Sequence, residues 1–454
     1  MAVPRRGARR GALVAAGLLW LAPPPGAWAE GPPVSRVPFL DGATRYCYEA
    51  LVADPGCCRD RQQSFGVESM DISRAGAAWR CVAPAEGGDC LDSRPGPRGE
   101  DRLWWPRESD CSTPRVLYVH GGEWRSHGPS QGSYDVLASK LADASGALVF
   151  VPDYRLVPVG NASDALRGLL EAWRWLSSHG PGGRDCGGAG TPPLFVGGDS
   201  AGGGTGLSLV LMLTGKVDVG PPAAGYFGYS PWLNLACTTP TYYSNAFAAF
   251  ADDSGDTDYI GDIFHRGMPG RTSAEQRALA LAYVAGIEDM LTDAIVSPFF
   301  ATEALLGALP PLYLALSTSE ARAGDSVVTA ARAAQQGVPV IEDLFQGMWS
   351  GFPLYSEGCG SGTDLWQGRA ALERTGDFLR QASALSRARP GAPRGRQGNG
   401  TGAPQVNILY DHPTGARPWL QVPPLSLASA LPPRGDDGCG SSSGAAAAGP
   451  EAAW

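Results

Sequence analysis

The chain has 454 residues, 43% of them hydrophobic, and a formal net charge of −9. That length accommodates one large domain with extensions or a few ordinary ones, and the apolar fraction suffices for a sizeable core. The acidic balance removes the electrostatic basis for a nucleic-acid partner.

Arg5, Arg6, Arg9 and Arg10 precede the apolar run GALVAAGLLWLA (11–22), and PPPGAWA ends in Ala27-Trp28-Ala29. This pattern predicts a secretory signal over 1–29, and an uncleaved anchor is the other reading. The apolar run is too short to span a bilayer comfortably, and no later stretch reaches the roughly 18 uninterrupted apolar residues of a membrane span. Residues 30–112 are cysteine-rich and irregular, with six of the ten cysteines between 47 and 111. None forms a C-x-x-C pair, so a zinc ribbon or thioredoxin-type site is not expected. In an oxidising lumen the cysteines should mostly pair as disulfides, with a connectivity that the sequence leaves open. Asn161 (NAS) and Asn399 (NGT) are glycosylation acceptors if exposed.

From about residue 114 the texture alternates. RVLYVHGG, ALVFVPDYRL, PPLFVGGD, PAAGYFGYS, PPLYLALST and VPVIEDLFQG are predicted strands, short and almost continuously apolar. SYDVLASKLADASG, ASDALRGLLEAWRWLSSHG, SAGGGTGLSLVLMLTG and SVVTAARAAQQG are predicted helices, the second starting near Asn161 or Ser163. This order predicts an α/β fold over 113–385: a mainly parallel sheet buried between helices on both faces. An insert at about 236–295 breaks the pattern and could cover a pocket. Residues 386–454, rich in Gly, Pro and Ala, read as a mostly disordered tail in which QVNILYDHP could dock as a short strand.

Three G-x-S-x-G matches occur, GPSQG (128–132), GDSAG (198–202) and GSSSG (440–444). Only GDSAG follows a predicted buried strand and opens a helix, the context of a nucleophile elbow around Ser200. Upstream, YVHGGEW (118–124) follows another strand, and backbone N–H groups there could pair with that of Ala201 to bind an oxyanion. His120 precedes the serine at the end of a different strand, so it is expected to support this loop rather than act as a base.

With HGGEW, VPDYRLVP, GGDSAGG, VSPFFA and PPLYLALSTSEARAGDS in this order and spacing, the chain resembles the hormone-sensitive-lipase-like α/β-hydrolases, which include carboxylesterases and arylacetamide deacetylases. The resemblance covers roughly residues 113–385. It implies an α/β-hydrolase fold with a helical cap, cleavage of small carboxylic-ester or acyl substrates, and no metal or organic cofactor. Carried across, Ser200 corresponds to the nucleophile, Gly121, Gly122 and Ala201 to the oxyanion hole, and Glu320 to the triad acid. Asp325 is the alternative acid, although its position suits a helix N-cap.

Two departures from the family pattern matter. Glu123 stands where a third glycine is usual, and its carboxylate should point outward or meet Arg125. After the last strand the family reads glycine, methionine, any residue and then the catalytic histidine, whereas here Gly347, Met348 and Trp349 precede Ser350. A serine hydroxyl cannot replace an imidazole as base near neutral pH. His127 and His179 fall in a loop and at a helix end and read as solvated surface residues. His265 in the insert and His412 in the tail are the candidates for a relocated base. Two readings follow: an impaired ester hydrolase, or a non-catalytic descendant that binds an ester, lipid or other hydrophobic ligand.

Overall fold

In a computed structural model of the chain, the described residues are 101–129, 132–188, 190–214, 219–245, 269–360 and 362–388. Shorter described stretches are 37–38, 44, 46–47, 50–51, 67–71, 249–251, 257–259, 262, 405–409 and 427. All of them belong to one compact unit, Arg36–Trp454. The predicted signal, Asn399, His265, His412 and five of the cysteines lie outside the described residues.

The strands are β1 (Val37–Pro38), β2 (Val67–Asp71), β3 (Arg102–Pro106), β4 (Arg115–Val119), β5 (Leu148–Val151) and β6 (Leu194–Asp199). They continue with β7 (Gly225–Tyr229), β8 (Ala249–Ala251), β9 (Thr257–Tyr259), β10 (Leu312–Ser317), β11 (Val340–Phe345) and β12 (Gln405–Leu409). The helices are α1 (Gly132–Ser145), α2 (Ala162–Ser178), α3 (Ser200–Leu213), α4 (Thr241–Ser244), α5 (Pro269–Tyr283), α6 (Glu303–Gly307), α7 (Ala323–Gln335) and α8 (Trp366–Ala388). One sheet runs β12-β11-β10-β7-β6-β4-β5-β3-β2, and β1, β8 and β9 form a small second one. From β12 to β5 every pairing in the large sheet is parallel, and β3 and β2 add antiparallel strands at one edge.

The continuous apolar runs are explained by burial on both faces. Along β4, Val116 and Tyr118 join the core shared with α1 and α8, whereas Leu117 and Val119 join the core shared with α2, α3 and α7. Asn161 caps α2: its side chain accepts from the N–H groups of Ser163 and Asp164, and Asp164 accepts in return from the Asn161 N–H. At the other end of α2, the buried Arg115 donates to the carbonyls of Leu176 and Ser177, which the helix itself leaves unpaired. Cys111 and Cys186 form a disulfide beside it, while Cys47, Cys237 and Cys359 are buried thiols. Against the expectation that most cysteines pair, one disulfide is present among the described residues.

The possible strand in the tail is present as β12. Its Asn407 donates to Asp343 of β11, which also accepts from Tyr313 and from Arg374 of α8. Asp343 is fully buried, and these donors compensate its desolvation. Among the described residues, no helix is long and apolar enough to cross a membrane.

The chain passes from β4 to β5 on one side and then crosses back to place β6 on the other side of β4. The sheet order thus reverses between β4 and β6, and open parallel sheets bind ligands outside the carboxyl ends of the strands at such a point. HGG leaves β4 there and Ser200 leaves β6. The two ends meet closely: a Cβ on Gly202 would lie 2.2 Å from the His120 carbonyl oxygen. Gly202→Ala should lower stability by about 1–3 kcal/mol through overpacking. Gly168→Ala, inside α2 with open space around the new methyl, should raise it by about 0.5–1 kcal/mol. Urea unfolding of the two variants checks this contrast, and equal effects would contradict it.

Candidate active site

Ser200 occupies the sharp turn from β6 into α3 with φ of 49°. A side-chain-bearing residue held there costs on the order of 1–3 kcal/mol, a strain that recurs where a side chain must be displayed. The Ser200 carbonyl accepts from the Trp232 N–H at 2.8 Å, which fixes the turn against the segment after β7.

Asp199, one residue earlier, ties the two strand ends together. Its Oδ1 accepts from the Tyr118 hydroxyl at 3.0 Å and the Gly121 N–H at 3.0 Å, and its Oδ2 accepts from the Tyr134 hydroxyl at 3.0 Å. Burial pushes its carboxyl up to about 6, opposed by these hydrogen bonds. The Gly121 N–H is therefore engaged by Asp199 and by the Tyr134 hydroxyl, in contrast to the free oxyanion donor expected there. The N–H groups of Gly122 and Ala201 have no acceptor among the described residues and remain as the donor pair. Glu123 turns away and pairs with Arg125 at 2.9 Å, as expected.

His120 is fully buried, with Nδ1 2.9 Å from the Gly121 carbonyl, in the supporting role expected of it. His127 and His179 are half-buried rather than solvated. His127 packs edge-on against Tyr134 with its ring close to Gly122, and His179 stacks on Trp175.

Glu320 follows β10 and Ser350 follows β11, at the same edge of the sheet as Ser200. Ser230 connects the two segments. Its hydroxyl accepts from the Gly351 N–H at 3.0 Å and lies near enough to Glu320 to favour the charged form. It does not reach hydrogen-bonding geometry with either carboxylate oxygen, and both oxygens are buried without a partner. Burial therefore dominates, with the nearby Asp262 carboxyl adding to it, and pushes Glu320 up to about 8. Ser350 is 5% exposed, and nothing among the described residues bonds its hydroxyl. Glu320 thus sits at the expected acid position without the imidazole that would normally engage it.

Asp325 does not cap α7. The helix begins at Ala323 with Arg322 as N-cap, so Asp325 lies inside its first turn. Its carboxylate accepts from Thr239 at 2.7 Å and Tyr242 at 2.8 Å, and burial pushes it up to about 7.

Arg322 was not singled out by the sequence. Its Nη1 donates to the Ser200 Oγ at 2.6 Å, and its Nη2 and Nε donate to Gln276 Oε1 of α5 at 2.6 and 3.2 Å. Its guanidinium lies over the Trp232 ring at 4.1 Å, and its side chain is among the largest that are fully buried. Trp124 stacks on Tyr283 of α5 at 4.1 Å and packs against Trp232, so α5 contacts this part of the site. A lone arginine carries no motif, and its partner Gln276 comes from a distant segment, so only tertiary contact could have marked it.

A family model described as the alpha/beta hydrolase fold matches residues 116–354, a span that holds Ser200, Glu320 and Ser350. The chain belongs to the α/β-hydrolase fold family. An acetyl-hydrolase of Streptomyces hygroscopicus is 27% identical over 281 residues, covering 62% of this chain and 79% of that one. The esterase LipU of Mycobacterium tuberculosis is 27% identical over 277 residues, covering 61% and 80%. A solved esterase of the bacterial hormone-sensitive lipase family aligns with a TM-score of 0.52 at 21% identity, covering 75% of this chain and 90% of that one. The likeness to the hormone-sensitive-lipase-like hydrolases read from the motifs stands.

Glu320 yields a test of site electrostatics. With its carboxyl held near 8 in the folded protein, against about 4.3 for an ordinary Glu, the folded state binds the extra proton between those values. Its contribution to stability therefore falls as pH rises through that window. Glu320→Gln should be only slightly more stable than the wild type at pH 5, by about 1 kcal/mol, and more stable by a few kcal/mol in order of magnitude at pH 8. Denaturant unfolding at both pH values measures this, and a destabilised variant at pH 8 would mean that Glu320 is charged and paired.

Proposed function

We propose that this chain is a secreted carboxylic-ester hydrolase whose Ser200 accepts the acyl group, with turnover impaired by the loss of the histidine at position 350. One observation carries the reading: the displayed Ser200 hydroxyl is met by the Arg322 guanidinium and by no imidazole among the described residues. Secretion rests on the pattern of residues 1–29 and agrees with the Cys111–Cys186 disulfide. Glycosylation at Asn161 or Asn399 belongs to the same proposal.

In acylation, the Ser200 oxygen attacks the ester carbonyl and the carbonyl electron pair moves onto oxygen. The N–H groups of Gly122 and Ala201, at the N-terminal end of α3, stabilise that charge. Collapse expels the alkoxide, which takes a proton from water. The Ser200 proton must also leave to water, because a guanidinium only donates. Arg322 lowers the cost of charge on the serine oxygen, but it also occupies a lone pair. Among the described residues Glu320 has no imidazole through which to act. Deacylation suffers equally, since no described side chain stands ready to activate the incoming water. Removing the histidine of a serine protease lowers turnover about a millionfold, with ~10³–10⁴ over the uncatalysed rate surviving from binding and the oxyanion hole.

The same observation favours a second reading, a pseudo-hydrolase that retains the pocket for a ligand. Short-chain nitrophenyl esters and a fluorophosphonate separate the two. The hydrolase reading expects Ser200 to be phosphonylated, an acyl adduct to persist on it, and Ser350→His to raise turnover by about 10²-fold or more. Phosphonylation absent from the wild type but present in Ser350→His would mark a pseudo-hydrolase. Wild-type turnover equal to that of Ser350→His, and lost in His265→Ala or His412→Ala, would reveal a relocated base.

A further inference from the structure

Arg322 is a buried cation with no ion pair among the described residues. Three carboxyl groups lie around it. Asp262 accepts from the Ala321 N–H at 3.0 Å, Asp325 is held by Thr239 and Tyr242, and Glu320 has no partner. None lies within ion-pair distance of the guanidinium. Its polar partners are both neutral, the Gln276 carbonyl and the Ser200 hydroxyl. Buried charges are ordinarily paired or otherwise compensated; here Trp232 supplies the face of its ring, and Glu320 and Asp325 feel the cation without contacting it.

The groups at the turn share one polarity. Arg322 can only donate hydrogen bonds. Ser200 accepts from Arg322, so its own proton is left to donate. Gly122 and Ala201 present unengaged N–H groups, and α3 directs its positive end at the same place. Fully donating sites with a buried cation match ligands that only accept.

Resting on the reading of Ser200 as the centre of the site, we infer that this set of donors binds a monocarboxylate, the acid side of an ester, in preference to the uncharged ester or amide. One carboxylate oxygen takes the proton of Ser200 and a donor of Arg322 Nη1, and the other takes the N–H groups of Gly122 and Ala201. Burial pushes Glu320 up to about 8 and Asp325 up to about 7, which limits the negative charge opposing the guanidinium near neutral pH. The same arrangement makes the released acid a product that remains on the enzyme.

Butyrate and its uncharged isostere butyramide test this on the full chain. Titration calorimetry at pH 7 and low salt should give butyrate at least tenfold tighter than butyramide. Arg322→Gln should abolish the preference and Arg322→Lys should retain part of it. Butyrate, and not butyramide, should slow fluorophosphonate labelling of Ser200, which locates the anion without any variant. Equal affinities, no butyrate binding, or an undiminished preference in a folded Arg322→Gln protein would overturn the inference. If the arginine variants do not fold, the wild-type pair and the protection of Ser200 still decide it. Labelling without butyrate preference refutes the inference alone, and butyrate preference without labelling refutes the nucleophile alone.

Discussion

The hydrogen bond from the Arg322 guanidinium to the Ser200 hydroxyl governs the behaviour of the site. An imidazole in that place would accept the serine proton and return it to a leaving group. A guanidinium can only donate, and among the described residues it is the side chain that meets the Ser200 hydroxyl. The bond also requires construction around it. Gln276 must reach in from α5, Trp232 must lie flat beneath the cation, and the turn after β6 must keep Ser200 at its positive φ. The insert is therefore part of the site.

The Asp199 carboxylate holds the turn and the loop after β4 together. Asp199 draws the Gly121 N–H and the hydroxyls of Tyr118 and Tyr134 into one buried cluster at the point where the strand order reverses. Buried networks of this kind are stabilising only when each member finds a partner. The consequence for chemistry is that the loop after β4 contributes its donor from Gly122. Its geometry is set by the residue next to the nucleophile, so the oxyanion donors and Ser200 are positioned by the same carboxylate.

The alternating pattern from residue 114 onward was legible because a sheet buried on both faces leaves continuous apolar runs, and because Asn161 or Ser163 marks a helix start. The turn that displays Ser200 was legible in its glycines and flanking strand and helix, whereas Glu320 was marked only by the family resemblance. The misreadings have a common cause. Gly121 looks like a free donor until Asp199 is placed beside it, and Asp325 resembles a cap until Thr239 and Tyr242 claim its oxygens. Arg322 is one arginine among many, and its meaning comes from Ser200 and Gln276, 122 and 46 residues away. Side-chain hydrogen bonds between distant segments leave no periodicity, so no spacing rule could have announced them.

The pH dependence of Ser200 phosphonylation reports whether an imidazole serves this hydroxyl. The second-order rate of fluorophosphonate labelling would be followed from pH 5 to pH 9 on the full-length protein. A serine without a histidine should react faster as pH rises, with no inflection in the imidazole range near 6.5. An inflection there that disappears in His265→Ala or His412→Ala would contradict the account and place a working base in the site.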